Sequence, residues 1–123
     1  MNSGQAEHLR TGARAERLAE RLLIEEGLTI LDRNFHSRFG EIDRVCRSER
    51  ELIFVEVRYR AHTRFGSAAA SVTLAKQKKL IKAAHYYILT HDHFSKLFMR
   101  FDVIGIASNQ QAQWIKGAFL ATV

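Results

Sequence analysis

The sequence predicts a single α/β domain, and three observations support this fold class. Two stretches carry apolar residues at helical spacing, and five shorter stretches are rich in β-branched and aromatic residues, as strands are. The chain has 123 residues, of which 46% are hydrophobic, which suffices for one domain with its own core. We therefore expect one domain over residues 1–123, in which residues 1–10 are a flexible N-terminus.

The composition narrows the class of protein. No apolar run approaches the length of a membrane span, and residues 1–10 lack the apolar stretch of a signal peptide. The single cysteine, Cys46, excludes an intramolecular disulfide and fits a reducing compartment. These features predict a cytoplasmic protein without a membrane partner.

The positive charge of the chain is unevenly placed. There are 19 Lys and Arg against 13 Asp and Glu, which gives a net charge of +6. Residues 76–123 hold seven basic and two acidic residues, whereas residues 1–75 hold twelve and eleven. A localised positive surface suggests a polyanionic partner, and nucleic acid is the first candidate.

The first helix is predicted over residues 11–26, where apolar side chains form one stripe. Gly27 follows the helix as its expected C-cap. Glu16 lies at the edge of the stripe, and the pattern alone indicates a surface charge there. The stripe consists of Ala15, Leu18, Ala19, Leu22 and Leu23.

Five strands are predicted, over residues 28–35, 40–47, 51–59, 98–106 and 113–119. Polar turns join the first three strands, so we expect an antiparallel meander. Residues 60–71 are small and polar with Gly66 at their centre, which predicts a loop. The turn at residues 108–111 leads into the last strand, which is expected at an edge of the sheet.

The second helix is predicted over residues 72–90. Gln77 falls within its apolar face, where a polar side chain is either a satisfied core group or part of a site. The motif His91-Asp92-His93 follows the helix, but no third ligand lies nearby, so we expect a polar connection. The apolar face holds Leu74, Ile81, Ala84 and Ile88, and the opposite side holds Lys78, Lys79 and Lys82.

One carboxylate is out of place in the third strand. Glu56 interrupts the apolar run 52–57, and a buried charge is costly unless a cation pairs with it. Arg58 lies two residues further along, on the same face of the strand. The hairpin that joins the second and third strands would bring Asp43 close to Glu56.

These residues allow two interpretations. Two carboxylates and a basic group at one end of a sheet suit a Mg²⁺-dependent site that cleaves phosphodiesters, because the metal takes oxygen ligands and the cation faces phosphate. The alternative is a hairpin with a solvated acidic face and one satisfied ion pair. The spacing leaves both interpretations open.

The sequence also resembles a known family. Gly40-Glu41-Ile42-Asp43 and Phe54-Val55-Glu56-Val57-Arg58 resemble the GEID and FVEVK signature of the YraN-like (UPF0102) family of small bacterial proteins. That family in turn resembles restriction-endonuclease-like PD-(D/E)XK nucleases and archaeal Holliday-junction resolvases. The family's lysine is Arg58 here. Further matches are Gly12, Glu16, Ala19, Asn34, Arg60, Gly66, Lys76, Gln77 and the segment Arg100-Phe101-Asp102-Val103.

The resemblance implies a restriction-endonuclease-like domain, α/β in class, in which helices flank a mixed central sheet. It implies that Asp43, Glu56 and the Val57 carbonyl bind Mg²⁺ or Mn²⁺. Arg58 would contact the scissile phosphate, and Gln77 would orient water or backbone.

Other residues take supporting roles in this interpretation. Glu16 and Glu41 would be accessory acids, and Glu41 could hold a metal-bound water. Residues expected to contact nucleic acid are Arg60, Lys76, Lys78, Lys79 and Lys82.

The expected function is therefore metal-dependent hydrolysis of DNA phosphodiesters, with structured or branched DNA favoured by analogy. Arg58 in place of lysine predicts a weak nuclease or an inactive one, because a guanidinium does not accept a proton from water. One alternative is a nucleic-acid-binding module of the same fold without catalysis. Another is a structural partner protein. Either a monomer or a homodimer fits the sequence.

Overall fold

The computed structural model describes residues 3–60 and 68–121. They form a five-stranded mixed sheet with one long α-helix on each face, which confirms the predicted α/β class. The elements are α1 (Ser3–Glu25), β1 (Thr29–Ser37), β2 (Gly40–Arg47), β3 (Glu51–Arg60), α2 (Leu74–Thr90), β4 (Phe98–Ala107) and β5 (Ala112–Phe119). Short 3₁₀ helices occupy Ala69–Ser71 and Asp92–Phe94.

The strands lie in the order β1-β2-β3-β4-β5. All neighbouring pairs are antiparallel except β3 and β4, which are parallel. A parallel pair needs a crossover connection, and α2 lies within the one between these strands. The predicted meander of the first three strands and the predicted edge position of the last strand are both confirmed.

The side chains of β3 alternate between two apolar clusters, one under each helix. On the α1 side, Ala15, Ala19 and Leu23 pack with Cys46, Ile53, Val55, Ile104 and Ile106. On the α2 side, Leu80, Ile81, Ala83, Ala84 and Tyr87 pack with Val45, Leu52, Phe54, Phe101 and Val103. By this alternation, Glu56 and Arg58 belong to the face covered by α2.

Helix α1 differs from its prediction at one end and agrees at the other. It begins at Ser3 and not at residue 11, so residues 3–10 belong to the helix. At the other end Gly27 has φ 93°, and its N–H donates to the Ile24 carbonyl at 2.9 Å. The Leu28 N–H donates to the Leu23 carbonyl at 3.1 Å, which completes a Schellman motif and confirms the predicted C-cap.

Helix α2 begins two residues later than predicted, because Thr73 is its N-cap. The Thr73 side chain accepts a hydrogen bond from the Lys76 N–H at 3.2 Å. Leu74, placed on the apolar face by the sequence pattern, is 55% exposed, so that assignment is wrong. Leu80 and Tyr87 are buried on this face instead.

The edge strand β5 is fastened by a buried carboxylate whose role was not predicted. Asp102 is 1% exposed and accepts both the Nε and Nη2 protons of Arg100, at 2.8 and 2.9 Å. From β5 it accepts the Trp114 Nε1–H at 2.9 Å and the Gly117 N–H at 3.0 Å. The sequence did contain a signal for such a role, namely a carboxylate inside an apolar strand, as at Glu56.

Two further expectations concern the loop and the membrane. Residues 61–67 of the predicted loop, including Gly66, lie outside the described residues. Neither α1 nor α2, as far as the structure describes them, has the length and apolar content of a membrane-spanning helix.

Candidate metal site at the end of the sheet

The two carboxylates come together where β2 and β3 separate. The paired residues of these strands run from Arg47 and Leu52 to Arg44 and Val55, and Asp43 and Glu56 are the next residues on each strand. The Asp43 carboxylate accepts the Val57 N–H at 2.8 Å. This bond fixes Asp43 against the backbone of the strand that carries Glu56.

Burial and mutual repulsion make this pair electrostatically unusual. Glu56 is 5% exposed, and Asp43 is half-buried. Burial and the neighbouring Glu56 carboxylate raise the pKa of Asp43 to about 8, while the Val57 N–H and the Lys76 charge oppose the rise. Without a metal ion, the pair therefore favours holding a proton over carrying two negative charges.

The cation next to Glu56 is Lys76 and not Arg58. The Lys76 Nζ lies 3.4 Å from Glu56 Oε2, within ion-pair range but not aligned as a hydrogen bond. Glu56 Oε2 accepts no hydrogen bond from the residues that the structure describes. A buried carboxylate oxygen without a donor is costly, so this atom has the capacity to bind an ion.

Arg58 turns to a different partner. Its Nη2 donates to the Ser71 carbonyl at 3.5 Å, in the short helix that precedes α2. Strand spacing predicted that Arg58 is the cation beside Glu56, and that prediction is wrong. Lys76 was predicted to contact nucleic acid but not to lie beside Glu56, because strand spacing gives no information about a helix that packs on the same face.

Gln77 stabilises the start of α2. Its Nε2 donates to the Val72 carbonyl at 3.1 Å, and the side chain is half-buried. The sequence left two alternatives for Gln77, a satisfied core group or part of a site. Its described hydrogen bond is that of a satisfied polar group. It fixes the helix turn that carries Lys76.

A buried arginine ties α1 to the strand below the site. Arg44 is 5% exposed, and it donates from Nη1 to Glu16 at 2.9 Å and to the Asp43 carbonyl at 2.7 Å. Its Nε donates to Glu20 at 2.9 Å, and Arg33 donates to the same carboxylate at 2.7 Å. Arg44 was not among the predicted site residues, although a charge next to the buried pair Val45-Cys46 was a signal.

The accessory acids predicted from the resemblance lie near the carboxylate pair. Burial raises the pKa of Glu16, and Asp43 raises it further, whereas the hydrogen bond from Arg44 lowers it. Glu41 also contributes to the rise, but it is exposed and lies 3.8 Å from His36 Nδ1. Glu16 is thus hydrogen-bonded to Arg44, whereas Glu41 lies on the solvent-exposed side of the carboxylate pair.

The remaining predicted contact residues differ in exposure. Arg60 is half-buried at the end of β3, and the lysines of α2 other than Lys76 are exposed, namely Lys78, Lys79 and Lys82.

The donor set fits one class of metal. Across residues 3–60 and 68–121, no three His, Cys, Asp or Glu side chains are grouped to hold an ion. A pair of carboxylates with a backbone carbonyl suits Mg²⁺ or Mn²⁺, since Mg²⁺ is often bound by one or two carboxylates and keeps several waters. It does not suit a structural Zn²⁺ site, which takes four nitrogen or sulfur ligands.

Comparisons with known proteins identify the relatives of this chain. A UPF0102 protein of Saccharophagus degradans is 47% identical over 114 residues, covering 93% of this chain and 96% of its own. UPF0102 proteins of Nitrosomonas europaea and Alcanivorax borkumensis are 43% and 44% identical, covering 88% and 89% of this chain and 92% and 90% of their own.

Among solved structures, Pyrococcus furiosus SfsA in complex with Ca²⁺ matches with 15% identity and a TM-score of 0.33, over 89% of this chain and 63% of that one. A TM-score this low carries no argument about function. The sequence match is much stronger, since the model of the uncharacterised protein family UPF0102 covers residues 15–106. With that match and relatives of over 40% identity along most of its length, the chain belongs to the UPF0102 family.

Proposed function

We propose that this protein is a metal-dependent nuclease that hydrolyses DNA phosphodiesters, with structured or branched DNA as the favoured substrate. The observation that carries the proposal is the pair of Asp43 and Glu56, in which a buried carboxylate oxygen lacks a hydrogen-bond donor among the described residues. Lys76 offsets part of the negative charge of this pair, and a bound divalent ion would offset the rest. The excess of basic residues supports a polyanionic substrate.

In this proposal Asp43, Glu56 and the Val57 carbonyl hold Mg²⁺ or Mn²⁺. When bound, the ion supplies an activated water and stabilises the charge that develops on the phosphate. The Val57 N–H orients the Asp43 carboxylate, and Arg44 holds the Asp43 carbonyl on its other side. These two contacts would hold the Asp43 side chain and backbone in position toward the ion.

Lys76 takes the role that the family resemblance gives to the residue at position 58. Its ammonium lies beside Glu56, and it is compact enough to contact both a phosphate and a nearby water. Arg58, directed toward the Ser71 carbonyl, would contact phosphate from the side. The positive charge at the reacting phosphate then comes from α2 as well as from β3.

Cleavage of a DNA panel tests the proposal. Single-stranded, duplex, flapped and four-way DNA would be incubated with Mg²⁺ or Mn²⁺. Asp43→Asn and Glu56→Gln should each abolish cleavage, because each replaces a charged metal ligand with a neutral side chain of nearly the same shape. Glu49→Gln, which neutralises an exposed carboxylate in the β2–β3 turn, is the matched control. Cleavage that persists in Glu56→Gln would contradict the proposal.

A double variant tests the role of Lys76. Lys76→Met should lower the cleavage rate strongly while Mn²⁺ still binds. Adding Arg58→Lys to this variant should restore part of the rate, because an ammonium then reaches the site from β3. If the double variant is as slow as Lys76→Met alone, the two positions are not equivalent.

The rival function is a nucleic-acid-binding module of the same fold without catalysis. Arg58 favours it, since the family's lysine is absent at that position. DNA binding without cleavage of any substrate in the panel, with Mn²⁺ bound, would select this rival.

A further inference from the structure

Two hydrogen bonds hold the turn between β1 and β2, near the candidate site. Ser37 Oγ donates to the Gly40 carbonyl at 2.8 Å and accepts the Phe39 N–H at 3.2 Å. Gly40 has φ 151°, a conformation that favours glycine. A Cβ built at Gly40 would stand 3.6 Å from Lys79 Cβ, so the turn lies directly against α2.

Aromatic side chains join this turn to α2. The Tyr86 ring lies 6.0 Å from the Phe39 ring and 6.2 Å from the Phe35 ring. The Arg38 guanidinium stands 4.8 Å from the centroid of Phe39, in cation–π range. Tyr86 nevertheless remains 39% exposed, so part of its ring is open to a further partner.

Positive charges from α2 lie near Tyr86, and the exposed Glu41 follows the turn on the strand side. The sequence of α2 contains four lysines and no Asp or Glu, and Lys82 and Lys79 precede Tyr86 by about one and two helical turns. We call Arg38, Phe39, Lys79, Lys82 and Tyr86 the hairpin–helix surface.

This surface lies close to the carboxylate pair. Strand β2 begins at Gly40 and reaches Asp43 after three residues, which is about 10 Å along a strand. Tyr86 follows Lys76 by ten residues, which is about 15 Å along α2, so a polymer bound at the candidate metal site reaches the hairpin–helix surface within a few nucleotides.

We propose that the hairpin–helix surface binds a single-stranded segment of nucleic acid next to the scissile phosphate. Arg38, Lys79 and Lys82 contact its phosphates, and an unpaired base stacks on Tyr86. The inference rests on the proposed function, and it specifies a substrate with unpaired bases. Stacking requires an unpaired base because the faces of paired bases are covered by their neighbours in a duplex.

Binding measurements without metal separate this inference from the proposed activity. Asp43→Asn protein in EDTA would be titrated with fluorescently labelled single-stranded DNA, flapped DNA and blunt duplex, and anisotropy recorded. Adding Tyr86→Leu, which keeps apolar packing on Phe39 but removes the aromatic face, should weaken single-strand and flap binding by about tenfold or more. Blunt duplex binding should change much less, and Tyr86→Phe should bind all three as the parent does.

The charged members are tested by salt dependence. Arg38→Ala should reduce the slope of log affinity against log salt by about 0.7 for single strands, as expected for one lost phosphate contact. Lys116→Ala removes the same charge from β5, beside Trp114 and Glu26, and should leave the slope unchanged.

Two outcomes would overturn the inference. One is unchanged single-strand affinity in Tyr86→Leu, and the other is an equal loss on blunt duplex. Neither depends on catalysis, because the assay contains no metal. Conversely, a protein that binds as expected but never cleaves would contradict the proposed function and leave the hairpin–helix surface standing.

Discussion

Asp43 couples the stability of the metal-free protein to pH. Its pKa is raised in the folded state, from an ordinary value of 3.8 to about 8, so the folded state holds the proton more tightly than the unfolded chain does. The stability that this proton contributes is complete below about pH 4 and is lost as the pH rises toward 8. The free energy of unfolding should therefore fall over this interval.

Asp43→Asn should remove that dependence, because an amide can still accept the Val57 N–H but carries no charge. We expect the free energy of unfolding of the variant to rise relative to that of the parent protein as the pH rises from 5 to 8. Urea unfolding curves recorded in EDTA measure this difference. Glu56→Gln is a useful companion, since it removes the group whose proximity raises the Asp43 pKa. Parallel curves for all three proteins would show that the carboxylates do not interact.

Two glycines should respond in opposite ways to the same substitution. At Gly12, no heavy atom of the described residues lies within 4 Å of the place that a Cβ would take, and α1 is helical there. Gly12→Ala should raise the free energy of unfolding by about 0.5–1 kcal/mol, the usual gain inside a helix. A Cβ at Gly105 would stand 2.5 Å from Ala68 Cβ, so Gly105→Ala should lower it by about 1–3 kcal/mol.

Chemical denaturation of the two alanine variants checks this prediction, and each serves as the control for the other. Destabilisation by Gly12→Ala would mean that the space beside α1 is filled in solution.

At the scale of elements, the docking of β5 depends on Asp102. Asp102→Ala leaves the Nε and Nη2 protons of Arg100 and the Trp114 Nε1–H without their acceptor, and should cost about 3–5 kcal/mol. Glu51→Ala removes the other carboxylate bound to Arg100. The Glu51 side chain is 36% exposed. That control should cost less than about 1 kcal/mol.

Trp114 is the one tryptophan of the chain, and it contacts Asp102 directly. Its fluorescence during urea unfolding therefore measures both variants at the strand in question. Equal losses for Asp102→Ala and Glu51→Ala would contradict a special role for the buried carboxylate.

At the scale of the whole molecule, the net charge of +6 is expected to act through α2. Replacing Lys78, Lys79 and Lys82 together with Ala should lower the salt slope of log affinity by about 0.9 per lost contact for duplex DNA, or about 0.7 for single strands. Binding isotherms at several salt concentrations measure the slope. An unaltered slope would place the main basic surface elsewhere.

The parts of this molecule that the sequence predicted are those set by local patterns. Gly27 could be recognised as a C-cap because its chemistry involves only neighbouring residues, and the apolar run 52–57 sufficed to place Glu56 in a buried strand. The hairpin then brought Asp43 to it, because a short turn leaves few registers open.

Contacts between distant elements were beyond such patterns. The approach of Lys76 to Glu56 depends on how α2 packs across the sheet, and Thr73 decides where that helix begins. The partners of Arg44 and Asp102 lie on other elements, so their charges were visible in the sequence while their pairing was not. Leu74 was misassigned because helical spacing alone does not tell where the first turn lies.

The parallel pairing of β3 with β4 affects the risk of aggregation while the chain is being synthesised. The meander of β1, β2 and β3 is synthesised before residues 98–107, so until β4 is made one edge of β3 has no partner strand. Such an edge invites pairing with a neighbouring chain, and a charge within it discourages that pairing. Glu56 lies in the middle of this edge. The same carboxylate that we propose as a metal ligand would thus also act as a gatekeeper against aggregation, which gives the chain a reason to retain it even where catalysis is weak.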